Sequence, residues 1–115
     1  KIFSLITITL LAFIPLQNIK AEKKSGQFLN FNVNVYNDTP NNGSISVSGP
    51  SSVGGTIYPG HNNFGPVTAG TYTVYMYSTY GPHTFIFNGI HQTTNNGQAI
   101  FYNVSINGNS YAYVV

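Results

Sequence analysis

Apolar and polar residues alternate along several short stretches of the chain, and a period of two predicts β-strands because successive side chains of a strand point to opposite faces. Residues 28–36 show this alternation most clearly. Their apolar face carries Leu29, Phe31, Val33 and Val35. The alternation returns at residues 44–48, after an asparagine-rich segment that also contains Pro40 and Gly43. The pattern therefore predicts two strands joined as a hairpin.

Glycine and proline interrupt the alternation over residues 49–70, which hold six glycines and three prolines. Since these residues weaken or exclude strands, only a short strand at residues 56–58 is predicted there, and the remainder is predicted to be loop. The alternation resumes at residues 71–79, where Tyr75 and Tyr77 lie on the polar face with threonines. The opposite, apolar face carries Tyr72, Val74 and Met76.

Two further strands are predicted toward the C-terminus, at residues 84–87 and 98–106. Asn88-Gly89 predicts a turn after the first of them, and a polar stretch at residues 91–97 leads into the second. One face of the second strand is predicted to carry Ile100, Tyr102, Val104 and Ile106.

Asn107-Gly108 is the strongest short hairpin signal in the chain, because Asn-Gly suits the positive φ angles of a type I′ turn. It predicts that residues 110–115 return as a terminal strand beside residues 98–106. These last residues form an uncharged, proline-free segment of high β-propensity. Our hypothesis is that they lie at a sheet edge, where such a segment promotes association.

About seven short strands at intervals of roughly ten residues, with no helical periodicity after the N-terminal apolar run, predict an all-β fold. We expect a small antiparallel β-sandwich, with a small barrel as the alternative. The predicted organisation is a signal peptide at residues 1–21, a polar linker at residues 22–27 and a single β-sandwich domain at residues 28–115.

The N-terminal segment has the parts of a signal peptide. Lys1 precedes an uncharged apolar run that ends before Pro15, and Ile19 and Ala21 occupy the positions that a signal peptidase reads. We predict cleavage after Ala21. A membrane anchor is the rival interpretation, but the run is shorter than the about 20 apolar residues needed to span a bilayer. The protein is therefore expected to be secreted, either extracellular or in a bacterial periplasm.

The low content of charged residues excludes some classes of binding partner. The chain has 115 residues, of which 5% are charged, and it has no cysteine. Removal of residues 1–21 takes away Lys1 and Lys20 and so lowers the formal net charge from +2 to zero. Without a basic surface, we expect neither nucleic acid nor, after cleavage, a membrane as a partner. Without disulfides, the apolar core must stabilise the fold alone.

One segment of the chain resembles a known strand. It reads Val67-Thr68-Ala69-Gly70-Thr71-Tyr72-Thr73-Val74 and is similar to the "aGtYtv" strand of transthyretin-like, carboxypeptidase-regulatory-like and other immunoglobulin-like β-sandwich modules. Residues 54–66 resemble the preceding strands of the transthyretin-like pattern. The resemblance implies a structural corner, in which a turn at Gly70 leads into a core strand and the Tyr72 hydroxyl bonds back to the backbone. It also implies a module without enzymatic activity.

Candidate catalytic side chains are scarce. Glycoside hydrolysis usually needs two carboxylates, and the predicted domain holds Asp38 alone. His61, His83 and His91 are the remaining candidates for a general base or metal ligand, but their spacing contains no chelating motif. We interpret them as solvent-facing loop residues, and we expect no enzymatic activity, no metal and no cofactor.

Tyrosines on the predicted polar face are the candidate ligand-binding residues. Tyr75 and Tyr77 lie beside threonines, and Tyr80 follows the end of their strand. An aromatic ring among amides and hydroxyls suits stacking on a sugar. Two other interpretations remain open, in which these rings form cross-strand ladders that cover the sheet, or belong to a second face of the core.

The sequence therefore predicts a secreted, non-catalytic module with a structural, surface or assembly role. Its partners would be further copies of itself or other cell-surface components, since a net charge near zero favours association. The alternative is a glycan-binding, lectin-like module that binds polysaccharide through Tyr75, Tyr77 and neighbouring asparagines.

We predict that the exported protein begins at Glu22, because Ala21 is the expected cleavage residue. N-terminal sequencing of secreted material measures this directly. A start at Lys1, or one within residues 28–36, would contradict the prediction.

Overall fold

The structure, a computed structural model, describes residues 30–115. These residues form nine β-strands. The strands are β1 (Asn30–Asn37), β2 (Gly43–Ser48), β3 (Ser52–Ile57), β4 (Gly60–Thr68), β5 (Gly70–Tyr77), β6 (His83–Phe87), β7 (Ile90–Thr94), β8 (Gln98–Ile106) and β9 (Ser110–Val114). The predicted signal peptide, cleavage after Ala21, the linker and positions 28 and 29 lie outside the described residues. Within residues 30–115 no helix is long and apolar enough to cross a membrane.

The strands form two packed sheets, which confirms the predicted all-β sandwich. One sheet has four strands in the order β8-β5-β2-β3, and the other has five in the order β4-β1-β9-β6-β7. All pairs are antiparallel except β1 with β9. The core between the sheets is apolar because alternate residues of each strand point inward. Its buried members are Val33, Val35, Ile45, Val47, Ile57, Val67, Tyr72, Val74, Met76, Phe85, Phe87, Ala99, Phe101, Val104, Ile106, Ala112 and Val114.

The predicted hairpin between residues 28–36 and 44–48 is wrong, because β1 and β2 belong to different sheets. The loop between them carries the chain across the sandwich. Its start is fixed by the buried Asn37 side chain, whose Oδ1 accepts from the backbone N–H of Thr39 (3.0 Å) and whose Nδ2 donates to the carbonyl of Asn41 (2.8 Å). Alternation shows that both strands have a buried face, but it cannot show whether those faces lie in one sheet or oppose each other.

Of the Asn-Gly dipeptides at positions 88–89 and 107–108, only Asn88-Gly89 forms a hairpin turn. Asn88 and Gly89 have φ angles of 46° and 84°, and they join β6 and β7 as the predicted turn. Residues 90–94, which the polar composition did not predict to be a strand, complete this hairpin. The hairpin predicted at Asn107-Gly108 is wrong, because β8 pairs with β5 in one sheet and β9 lies in the other.

Most of the segment predicted to be loop between residues 49 and 70 is strand, as β3 and β4. Both are edge strands, where glycine and proline are tolerated because one side of the backbone needs no partner. Gly65 and Pro66 form a bulge opposite Asn32 of β1. Because β4 has a partner strand on one side only, the proline disturbs hydrogen bonding with β1 alone.

The predicted common face of Ile100, Tyr102, Val104 and Ile106 is also wrong. Asn103 has a φ of 55° and, with Tyr102, forms a bulge opposite Thr73. The extra residue reverses which side chains point inward. Before it Ala99 and Phe101 are buried while Ile100 and Tyr102 are exposed, and after it Val104 and Ile106 are buried.

Strand β9 is not at an edge, contrary to the hypothesis for residues 110–115. It pairs in parallel with β1 and antiparallel with β6, in the middle of the five-stranded sheet. Its Tyr111 and Tyr113 side chains point outward, while Ala112 and Val114 fill the core. The strand therefore cannot offer a free backbone edge to another molecule.

The central position of β9 predicts a sharp contrast between its last two residues. Val114 is buried and Val115, which follows it, is 48% exposed. Val114→Asp would place a carboxylate in a core that has no Lys or Arg within residues 30–115, and we expect a loss of about 3 kcal/mol or more in the free energy of unfolding. Val115→Asp is the matched control and should unfold like wild type in a denaturant titration followed by circular dichroism. Equal stability of the two variants would contradict the assignment of β9 as a central strand.

Candidate functional site

The three histidines lie in strands rather than in loops, which corrects the sequence interpretation. His61 is in β4, His83 in β6 and His91 in β7. The Nε2 atom of His83 lies 3.3 Å from Thr79 Oγ1. Within residues 30–115, no three His, Cys, Asp or Glu side chains converge as metal ligands, and no pocket is present. Asp38 is exposed in the loop after β1.

Tyr72 occupies the corner between β4 and β5. Its ring is buried, and its hydroxyl donates to the backbone carbonyl of Thr68, four residues earlier, over 2.7 Å. Ser51 Oγ lies 2.8 Å from the same hydroxyl and accepts from the backbone N–H of Thr68. Burial raises the pKa of the Tyr72 hydroxyl, but the hydrogen bonds with Ser51 and Thr68 lower it more, so the net shift is downward. The Tyr72 hydroxyl thus links β5 to Thr68 at the end of β4 and to Ser51 before β3.

Gly70 is required at this corner by a close approach. A Cβ at position 70 would lie 2.5 Å from Cγ of Pro50, much closer than two carbon atoms can come. Gly70 and Tyr72 therefore have a structural part, and neither presents a side chain to a ligand.

The candidate ligand-binding tyrosines lie on the four-stranded sheet and in the loop after it. Tyr75 stands opposite Ile100 and Ser46, and Tyr77 stands opposite Gln98 and Ser44, so that both rings share the outer face. Tyr77 is 38% exposed, and Tyr80, in the loop before β6, is 83% exposed. Among the described residues the stacked and tilted ring pairs involve none of these three tyrosines.

The opposite face of the sandwich carries a row of side chains that crosses all five strands of its sheet, which we name the aromatic row. Its members stand directly opposite one another in the strand registers. They are His61, Tyr36, Tyr113, Ile86 and His91. The Tyr36 ring stacks on His61, with centroids 4.7 Å apart and planes inclined by 17°, and on Tyr113, at 5.2 Å and 18°.

Amide side chains hold one end of the aromatic row. Asn34 Oδ1 accepts from Asn63 Nδ2 over 2.9 Å and lies 3.1 Å from His61 Nε2. Because a carbonyl oxygen only accepts, Nε2 of His61 donates to it. Asn34 in turn donates from Nδ2 to the backbone carbonyl of Ser110, over 3.4 Å. The imidazole that covers Tyr36 is thus fixed in orientation by a polar network on β1 and β4.

Sequence reasoning missed the aromatic row. The alternation at residues 28–36 predicts that Tyr36 points away from the apolar face, which the structure confirms, whereas the predicted loop position of His61 and edge position of Tyr113 are wrong. The available signal was the position of Tyr36, Tyr111 and Tyr113 on outward faces of their strands. Only the pairing of β1 with both β4 and β9 brings these residues side by side.

The stacking determines what the aromatic row can bind. A sugar binds an aromatic residue through the face of the ring. Both faces of Tyr36 are already covered, by His61 and Tyr113, so the central ring of this stack has no free face for a sugar. It contains no Asp, Glu, Lys or Arg. The arrangement suits contact with another protein surface better than recognition of a sugar ring.

The chain matches no protein-family model, and neither a curated protein nor a solved structure is significantly similar to it. Its function is therefore inferred from the surfaces described above. These are the aromatic row, the hydroxyl-bearing face around Tyr75 and Tyr77, and the edges of the two sheets.

The corner predicts distinct costs for two substitutions of Tyr72. Tyr72→Ala removes a buried ring and should lower the free energy of unfolding by about 3 kcal/mol or more. Tyr72→Phe keeps the ring but leaves the hydrogen-bonding groups of Ser51 and Thr68 without the phenol, at about 1 kcal/mol. Denaturant titration of both variants measures these values. A Tyr72→Ala protein as stable as wild type would refute the structural part of the corner.

Proposed function

We propose that this protein is a secreted, non-catalytic β-sandwich module with a structural, surface or assembly role, outside the cell or in a bacterial periplasm. The observation that carries the proposal is the aromatic row, a line of side chains without Asp, Glu, Lys or Arg that crosses the whole width of one sheet and in which Tyr36 stacks between His61 and Tyr113. Such a surface offers a broad, flat contact and no enclosed site. Broad contact is what association between proteins requires.

Charge supports the same proposal. After cleavage at Ala21 the formal charges of Glu22 and Asp38 balance those of Lys23 and Lys24. No long-range repulsion then separates molecules of this protein, and association near neutral pH is the expected result. The geometry around Tyr72 also supports our proposal that the domain is related to transthyretin-like and other immunoglobulin-like modules, which are mostly accessory domains.

A glycan-binding module is the second candidate, and one observation favours it. The rings of Tyr75 and Tyr77 lie on an outer face among serine hydroxyls and the Gln98 amide, and no other ring covers them within the described residues. An uncovered ring flanked by hydroxyls and an amide can stack on a sugar and bond to its hydroxyls.

Affinity electrophoresis through gels containing soluble polysaccharides, together with sedimentation of the mature chain at low salt, separates the two candidates. We expect unretarded migration and a sedimentation coefficient that rises with protein concentration. Tyr77→Ala tests the glycan surface, and Tyr58→Ala, an exposed tyrosine in the turn before β4, is its control. Retardation that Tyr77→Ala abolishes and Tyr58→Ala preserves would establish the glycan-binding alternative. A strict monomer at high concentration would contradict the assembly role.

A further inference from the structure

The two lateral sides of the sandwich differ in how well their strand edges are protected. On one side the edge strands are β3 and β4, which contact each other and are joined by the turn at Tyr58 and Pro59. Proline at position 66 and the bulge it shares with Gly65 disrupt the free edge of β4. Prolines, bulges and covering chain are the usual means by which proteins prevent edge-to-edge pairing. We name this the closed side.

On the other side the edge strands are β7 and β8, and we name it the open side. Residues 90–106, which form both strands and their connection, contain no proline and no Asp, Glu, Lys or Arg. A single side-chain bond spans the two layers here, from Gln92 Nε2 to the carbonyl of Ile100 over 2.7 Å. Ile90 and Tyr102 are 51% and 69% exposed on this side.

The free edge of β7 is the more regular of the two. Strand β8 has the bulge at Asn103, whereas β7 pairs with β6 in an unbroken register from Ile90 to Thr94. In a hairpin with a two-residue turn, Phe87 and Ile90 form the hydrogen-bonded pair that flanks the turn. Alternation along the strand then leaves the N–H and C=O groups of His91 and Thr93 pointing away from β6.

We propose that two copies of this chain pair through their β7 strands, antiparallel and about a two-fold axis at Gln92, to form one continuous ten-stranded sheet. This inference rests on the proposed assembly role and specifies the surface and the partner. About this axis His91 pairs with the partner's Thr93, and Thr93 pairs with the partner's His91. The two pairs satisfy the four outward N–H groups and the four outward carbonyls of the two strands.

A second copy is the partner that the chemistry of this edge favours. Residues beside the two-fold axis lie near their own counterparts, so a charged residue there would repel its copy, and charged side chains are one usual means by which edge strands avoid pairing. Strand β7 has no charged residue that would prevent it from pairing with a second copy of the chain. The axis also brings the exposed Ile90 of each copy beside the partner's Thr94, which removes apolar surface from water.

Two matched variants test the proposal. Thr93→Lys adds a charge at the paired edge, and each new Lys then lies near its counterpart across the axis. Thr56→Lys makes the same change on β3, an exposed position on the closed side. Sedimentation equilibrium of the mature chain should show that Thr93→Lys raises the dimer dissociation constant about tenfold and that Thr56→Lys leaves it unchanged. Circular dichroism melts confirm that each variant is folded.

Amide hydrogen exchange by NMR gives a second, substitution-free measurement. The amides of His91 and Thr93 should exchange more slowly as the protein concentration rises, while the amide of Gln92, already bonded to β6, should not change. Association that Thr56→Lys weakens as much as Thr93→Lys, or association without slower exchange at His91 and Thr93, would overturn the β7 pairing and leave the assembly role standing. A wild-type protein that stays monomeric would overturn both.

Discussion

Strand β9 lies between β1 and β6, and its backbone pairs with both of them. Strand β1 pairs with the edge strand β4, and β6 pairs with the edge strand β7. The two halves of the five-stranded sheet are therefore joined only through β9. Its parallel pairing with β1 also joins the two ends of the described chain, so folding must close nearly the full length of the domain. The long loop that this contact closes is costly in entropy, and the buried Ala112 and Val114 are part of what offsets it.

Apolar burial and backbone pairing are the main stabilising interactions of the sandwich, since the chain has no cysteine and the described residues include no Lys or Arg. Polar side chains instead fix the points where the chain changes sheet. Asn37 holds the loop from β1 to β2, and Tyr72 ties the corner of β5 to Ser51 and Thr68. Two of the crossings between the layers are therefore held by buried polar side chains, whose hydrogen bonds reach both their own turn and a neighbouring chain segment.

The two outer faces of the sandwich differ in their side chains, and its two lateral sides differ in how their strand edges are protected. One outer face carries the aromatic row, in which Tyr36 stacks on His61 and Tyr113, and the other carries hydroxyls around the uncovered Tyr75 and Tyr77. One side is protected by proline, a bulge and a covering turn, and the other offers uncharged backbone. Asp38 is the one charged side chain among the described residues, so local features of this kind have more influence on association than electrostatic repulsion does.

The sequence by itself determined the all-β class, the inward faces of β1, β2 and β5, including that of Tyr72, and the turn at Asn88-Gly89, because each depends on a local period or a short turn motif. The corner at Tyr72 was instead expected from the resemblance to a known strand. Tertiary structure decided which strands pair. Asn107-Gly108 carries the same dipeptide as the true hairpin turn yet crosses between sheets, and Asn103 reverses the faces of β8 through a bulge. The aromatic row was likewise invisible in the sequence, since Tyr36, His61 and Tyr113 are brought together only by long-range register, and register is chosen by the packing of the whole core.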